Sequence, residues 1–110
     1  MSLAISERDW QTRVVDCARL FGWRYCHQRP ARTKRGWVTP YSGAGGFPDL
    51  VLLRGGRLIL AELKSDRGVA TADQQEWLAG FGEVPGVESY VWRPEDWTEV
   101  YQCLAKDSRP

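Results

Sequence analysis

Apolar positions along the chain fall into seven stretches, and the period of each predicts an element. Over residues 7–21, Trp10, Val14, Cys17, Ala18 and Phe21 recur at helical spacing and give an amphipathic helix one apolar stripe. Ser6 caps it, with Asp9 three residues on, and Gly22 closes it. Residues 23–28 alternate instead, with Trp23, Tyr25 and His27 on one side and Arg24, Cys26 and Gln28 on the other, which is the period of a strand. Two short aliphatic runs, 50–53 and 58–61, flank Arg54-Gly55-Gly56-Arg57, and a Gly-Gly pair suits the two-residue hairpin loop that demands positive φ. Thr71-Ala72-Asp73-Gln74 is a capping box opening a helix over 72–81 that buries Trp77, Leu78 and Phe81. Residues 82–86 then turn, 87–92 form a fourth strand, and 94–104 form a last helix with Trp97, Val100, Tyr101 and Leu104 inward.

This order predicts an α/β fold, with an αβββαβ core in which helices flank both faces of a mixed central sheet. The hairpin strands are apolar on both faces, as a covered central sheet requires. A helix between the third and fourth strands allows a parallel crossover. At 110 residues and 43% hydrophobic, the chain is read as one domain over 1–110. The stretch 29–47 breaks the periodicity, although 37–41 can add a short extended piece, and a loop this long in a small domain is functional or disordered.

The hairpin carries the candidate chemistry. With Gly55 and Gly56 as the loop, Arg54 pairs with Arg57 and Leu53 with Leu58, and the count sets Asp49 opposite Glu62. Opposed residues have Cβ atoms about 5 Å apart, and two carboxylates that close repel unless a cation lies between them. Period two brings Lys64 to the face of Glu62. Two hard oxygen ligands with room for water and phosphate oxygens suit Mg²⁺ or Mn²⁺ better than zinc. Such an ion acidifies a bound water and neutralises charge on a phosphodiester, while Lys64 orients or deprotonates the attacking water. Phosphodiester hydrolysis is the reaction this set predicts, set against a surface hairpin whose charges are merely solvated.

Charge sharpens the choice of substrate. Net charge is +1, yet from Arg19 to Arg67 there are ten bases against three acids, and from Gly68 to Pro110 eight acids against three bases. No acid lies between Asp16 and Asp49. One face that follows a phosphate backbone, with Arg29, Arg32, Lys34, Arg35, Trp37 and Tyr41 as the DNA-contacting set, fits this asymmetry better than an ordinary solvated loop. Cys17, Cys26 and Cys103 lack C-x-x-C spacing and are read as reduced, buried thiols. His27 is the single histidine, which excludes His-Cys zinc sites and histidine-pair ribonuclease chemistry. The absence of a long apolar run or a leader predicts a cytoplasmic protein without membrane partners.

Pro48-Asp49, twelve residues, then Glu62-Leu63-Lys64 resembles the signature of the PD-(D/E)XK nuclease superfamily. The fuller string, with Gly46-Phe47-Pro48-Asp49-Leu50, Glu62-Leu63-Lys64-Ser65 and Thr71-Ala72-Asp73-Gln74-Gln75-Glu76-Trp77, is similar to its VRR-NUC branch. That resemblance implies the same αβββαβ core, Asp49 and Glu62 as metal ligands, and the carbonyl of Leu63 as a further one. It also implies that Glu7 contributes to the metal centre and that Gln74 hydrogen-bonds a water or phosphate beside it. Glu7 is equally accounted for as a first-turn acid on the helix dipole, and Gln74 has its capping-box role. The implied activity is structure-specific cleavage of branched DNA, junction or flap, by a two-fold homodimer, leaving a 5′-phosphate. Alternatives are a non-specific or restriction-like DNase on plain duplex and a catalytically silent DNA-binding module.

Overall fold

The first helix, α1 (Glu7–Leu20), is capped by Ser6, whose Oγ accepts the Asp9 N–H at 3.0 Å. A computed structural model describes residues 4–28, 31–33, 36–38 and 42–107 of the chain. After the Gly22 turn come β1 (Arg24–His27), a separate two-stranded ladder of β2 (Ala31–Thr33) and β3 (Gly36–Val38), and the hairpin β4 (Leu50–Arg54) and β5 (Arg57–Leu63). Then follow α2 (Ala72–Gly82), β6 (Val87–Trp92), a 3₁₀ turn at Pro94–Asp96 and α3 (Trp97–Ala105). The main sheet is open, mixed and four-stranded in the order β1-β4-β5-β6. Its β1-β4 and β4-β5 pairs are antiparallel, and α2 makes the crossover that leaves β6 parallel to β5.

Hairpin register follows from its loop. Gly55 and Gly56 have φ of 53° and 82°, the left-handed pair that a two-residue turn of matching twist needs. Arg54 therefore faces Arg57, and the ladder runs to Leu50 opposite Ala61. Strand alternation then sorts the side chains. Leu50, Leu52, Ile59, Ala61 and Leu63 join Trp10, Val14, Ala18, Val100 and Leu104 in one core between the sheet and the α1/α3 pair. Leu60 and Glu62 turn to the opposite face, where α2 packs on β5 and β6.

Two tryptophans tie the helices to the sheet through their ring N–H groups. Trp10 Nε1 donates to the Trp92 carbonyl at 3.0 Å, and Trp23 Nε1 to the Leu104 carbonyl at 2.9 Å. Arg54 and Arg57 stack on Trp23, with guanidinium carbons 4.6 and 5.0 Å from its ring centroid. Arg54 donates to the carbonyls of Phe21 and Leu104, and Arg57 forks onto Glu88 at 2.7 and 2.8 Å. Both arginines are thus committed at the loop end of the hairpin, so two of the ten bases of the basic segment hold the fold together.

Several expectations change. β1 is an edge strand whose residues are exposed apart from half-buried His27; of the side that carries Trp23, Tyr25 and His27, Trp23 enters the core while Tyr25 is 42% exposed. Tyr101 is also 45% exposed, packing edge-on to Phe21 and Trp97, while Val100 and Leu104 of the same helix are buried. All three cysteines are free, but Cys17 alone is buried: Cys26 is exposed on the edge strand and Cys103 is half-buried. The stretch after residue 28 contains the β2-β3 ladder, which three-residue strands are too short to announce by periodicity. No described helix is long and apolar enough to cross a membrane.

Candidate active site

Asp49 stands just before β4, one step beyond the Leu50-Ala61 pair, and meets Glu62 across the ladder. The two residues interlock: Asp49 N–H donates to Glu62 Oε1 at 3.2 Å, and Leu63 N–H donates to Asp49 Oδ2 at 3.0 Å. Each carboxylate thereby spends one oxygen on the opposed strand and retains the other. Glu62 is fully buried, and its Oε2 accepts no hydrogen bond among the described residues. Lys64 Nζ lies 3.3 Å from that oxygen, on a side chain 15% exposed.

Electrostatics follow from this packing. Burial pushes Glu62 up to about 7, the repulsion of Asp49 adds to that, and Lys64 only partly offsets it. Asp49 is also raised by burial, against the Leu63 N–H, Lys64 and His27, which pull it down; Glu7 pushes it up. The two carboxylates repel each other inside the fold, and Glu62 is the less exposed of the pair. With one lysine for two carboxylates, full ionisation of the pair leaves uncompensated negative charge in the interior. A hard divalent cation is what this donor set fits, since its oxygens are carboxylate and its remaining need is positive charge. No third His, Cys, Asp or Glu completes a ligand group with them among the described residues, so further ligands fall to backbone carbonyl, water or substrate oxygen.

Of the other predicted residues, exposed Glu7 in the first turn of α1 is near enough to act on Asp49 through its charge. The Leu63 backbone is at the site through its N–H. Gln74 closes the predicted capping box, with Oε1 accepting the Thr71 N–H at 2.8 Å and its own N–H donating to Thr71 Oγ1 at 3.2 Å. It is half-buried. Gly46 explains how α2 reaches the site. At φ of +85°, a Cβ there would come within 2.7 Å of Asp73 Cβ and 2.8 Å of Gln74 N, so only glycine lets the loop before Asp49 lie on the first turn of α2. Trp77 Nε1 donates to the Gly45 carbonyl at 2.9 Å, and Phe47 packs edge-on to Trp77 at 5.2 Å.

In the DNA-contacting set, Arg32 and Trp37 are paired across the β2-β3 ladder, while Arg29, Lys34, Arg35 and Tyr41 lie outside the described residues. A cleft of about 420 Å³ beside α2, lined by Gly45, Trp77, Phe81 and Val84 with Asp73 and Glu76, includes neither carboxylate of the pair and has the wrong charge for phosphate. His27 escaped the sequence reading as a site residue. It ends β1 opposite Leu50, and its charge lowers Asp49. Only the hairpin register combined with the β1 pairing would have revealed it.

Comparison with protein-family models, with curated proteins and with solved structures gave no match.

Proposed function

We propose that the protein is a divalent-metal-dependent endodeoxyribonuclease that hydrolyses phosphodiesters in branched DNA. The observation that carries the proposal is the interlocked Asp49-Glu62 pair with Lys64 against its buried oxygen. Asp49 and Glu62 would hold Mg²⁺ or Mn²⁺, with the Leu63 carbonyl as a further ligand. When bound, the ion supplies charge neutralisation for the phosphodiester and a more acidic water.

The chain's own groups do the rest. Reciprocal hydrogen bonds from Asp49 and Leu63 N–H groups fix both carboxylates before any ligand arrives, so little reorganisation is left for the reaction. Lys64 holds its amine 3.3 Å from Glu62, where it orients the attacking water and stabilises developing negative charge. Glu7 raises the negative potential at Asp49 and so favours cation capture. Gln74, held in its capping box, offers its amide to water or phosphate at the α2 end of the site.

DNA as the polymer rests on the base-rich, acid-poor segment before Asp49. Branched structure, recombination or repair intermediates as targets, and a two-fold homodimer rest on the resemblance to the VRR-NUC branch. The test is parallel incubation of a labelled four-way junction, a flap and a linear duplex with Mn²⁺, beside sedimentation of the protein alone and with junction. Preferential cutting of the junction or flap by a dimer is expected. Equal cutting of all three identifies a non-specific DNase, and binding without cutting under any divalent ion identifies a silent DNA-binding module.

A further inference from the structure

Lys64 leaves the sheet after its N–H donates to the Trp92 carbonyl at 3.0 Å, and the chain turns at once, with Gly68 N–H returning to the Ser65 carbonyl at 3.2 Å. This turn lies against the lysine. A methyl group on Gly68 would stand 3.3 Å from Lys64 Cδ and 3.4 Å from Lys64 Cβ, so the Gly68 backbone backs the aliphatic stem with room for little more than hydrogen. Arg93, the residue after β6, reaches the same turn. Its Nη1 donates to the Ser65 carbonyl at 2.8 Å and also to the Gly68 carbonyl. Its backbone is anchored in turn, because its N–H donates to Asp96 Oδ2 at 2.9 Å.

Among the described residues no carboxylate pairs with Arg93, whose charge is spent on two carbonyls of one turn. One guanidinium nitrogen bridging the first and last residues of a four-residue turn fixes its shape, and the rigid plane that carries this nitrogen holds its two N–H directions as a freely rotating ammonium would not. Lysine itself has a long flexible stem, and an ammonium held 3.3 Å from a buried carboxylate oxygen requires that stem to be confined.

We infer that Arg93 is a positioning residue for Lys64: it clamps the 65–68 turn onto the lysine stem and so keeps the ammonium against Glu62. The inference deepens the proposed reaction, in which Lys64 orients the water, but the positioning is measurable without any cleavage. Acetylation of amines by an N-hydroxysuccinimide ester, followed by mass spectrometry, gives the rate at Lys64 relative to exposed Lys106 in the same molecule. In Arg93→Ala this ratio is expected to rise roughly tenfold, the factor for losing about one charged hydrogen bond that holds the turn. Arg93→Lys, whose ammonium keeps donors on a more flexible stem, rises less. Gly68→Ala leaves Arg93 in place, crowds the stem and raises the ratio as well; its cooperative melt keeps the test valid if Arg93→Ala does not fold.

In cleavage, Arg93→Ala lowers the single-turnover rate about tenfold while junction affinity stays at the wild-type value, and Arg93→Lys recovers part of the rate. A wild-type protein that cuts nothing, together with a raised Lys64 ratio in the variants, sinks the nuclease reading and leaves the positioning role standing. Folded Arg93→Ala and Gly68→Ala proteins with wild-type Lys64 reactivity overturn the inference.

Discussion

Replacing Glu62 by glutamine removes a fully buried carboxylate, and the consequence appears in how stability varies with pH. Glu62 has an ordinary value of 4.5 and is pushed up to about 7 in the fold, so between these values the folded state binds a proton that the unfolded chain has released. Stability from this group is fully present below pH 4.5 and is lost as pH rises through 7. The interval corresponds to about 3 kcal/mol, or about 10 °C in melting temperature for a domain of this size. Thermal melts by circular dichroism from pH 5 to 8.5 measure the slope. Wild type is expected to lose most of that stability across the range, whereas Glu62→Gln is flatter, because glutamine keeps the shape without the charge. Lys64 loses its partner in the variant, so absolute stability drops and the slope is the informative quantity. Asp49 and His27 remain in both proteins, so the difference in slope reports Glu62 together with its repulsion of Asp49. Adding Mg²⁺ or Mn²⁺ at pH 8.5 raises the wild-type melt and leaves Glu62→Gln little changed. Equal slopes for the two proteins would refute the electrostatic account of the pair.

Other perturbations probe separate features. Gly46→Ala places a Cβ 2.7 Å from Asp73 Cβ at a left-handed φ, and urea denaturation is expected to give a loss of about 2–4 kcal/mol, with weakened metal affinity as the loop before Asp49 shifts. Glu88→Gln breaks the fork from Arg57 and is expected to cost about 1–2 kcal/mol in the same assay. Glu88 is held below its usual value chiefly by Arg57, so its contribution is present above pH 4.5 and is lost as pH falls through the lowered value, with the wild-type and Glu88→Gln curves drawing together on the acid side. Raising salt from 50 to 200 mM is expected to weaken junction binding at least tenfold if several phosphates are contacted, as a filter-binding titration would record.

The site was legible because its geometry follows from counting. A Gly-Gly loop admits one register, and that register sets Asp49 against Glu62 thirteen residues away. Helix ends were equally local: Ser6 and Thr71 cap within three residues. What escaped the sequence depends on contacts that no period encodes. Arg93 finds its partners 28 and 25 residues back, on backbone carbonyls that any residue type would present. Arg54 and Arg57 counted toward a basic surface, yet Trp23 and the carbonyl ends of two helices claim them. Tyr25 alternates with its neighbours as a strand residue should and pairs with buried Leu52, but its place on the edge strand leaves it 42% exposed. Gly46, read as part of the string leading to Asp49, turns out to be fixed by the close passage of α2.

The measurement that bears most directly on the nuclease proposal is single-turnover cleavage of a labelled four-way junction by wild type, Asp49→Ala and Lys64→Ala, each with Mg²⁺, with Mn²⁺ and with EDTA. The account predicts cutting by wild type with either metal and none with EDTA, and a loss of at least about a hundredfold in both variants, the order expected when a metal ligand or charge-stabilising group is removed. Undiminished cutting by Asp49→Ala would contradict it.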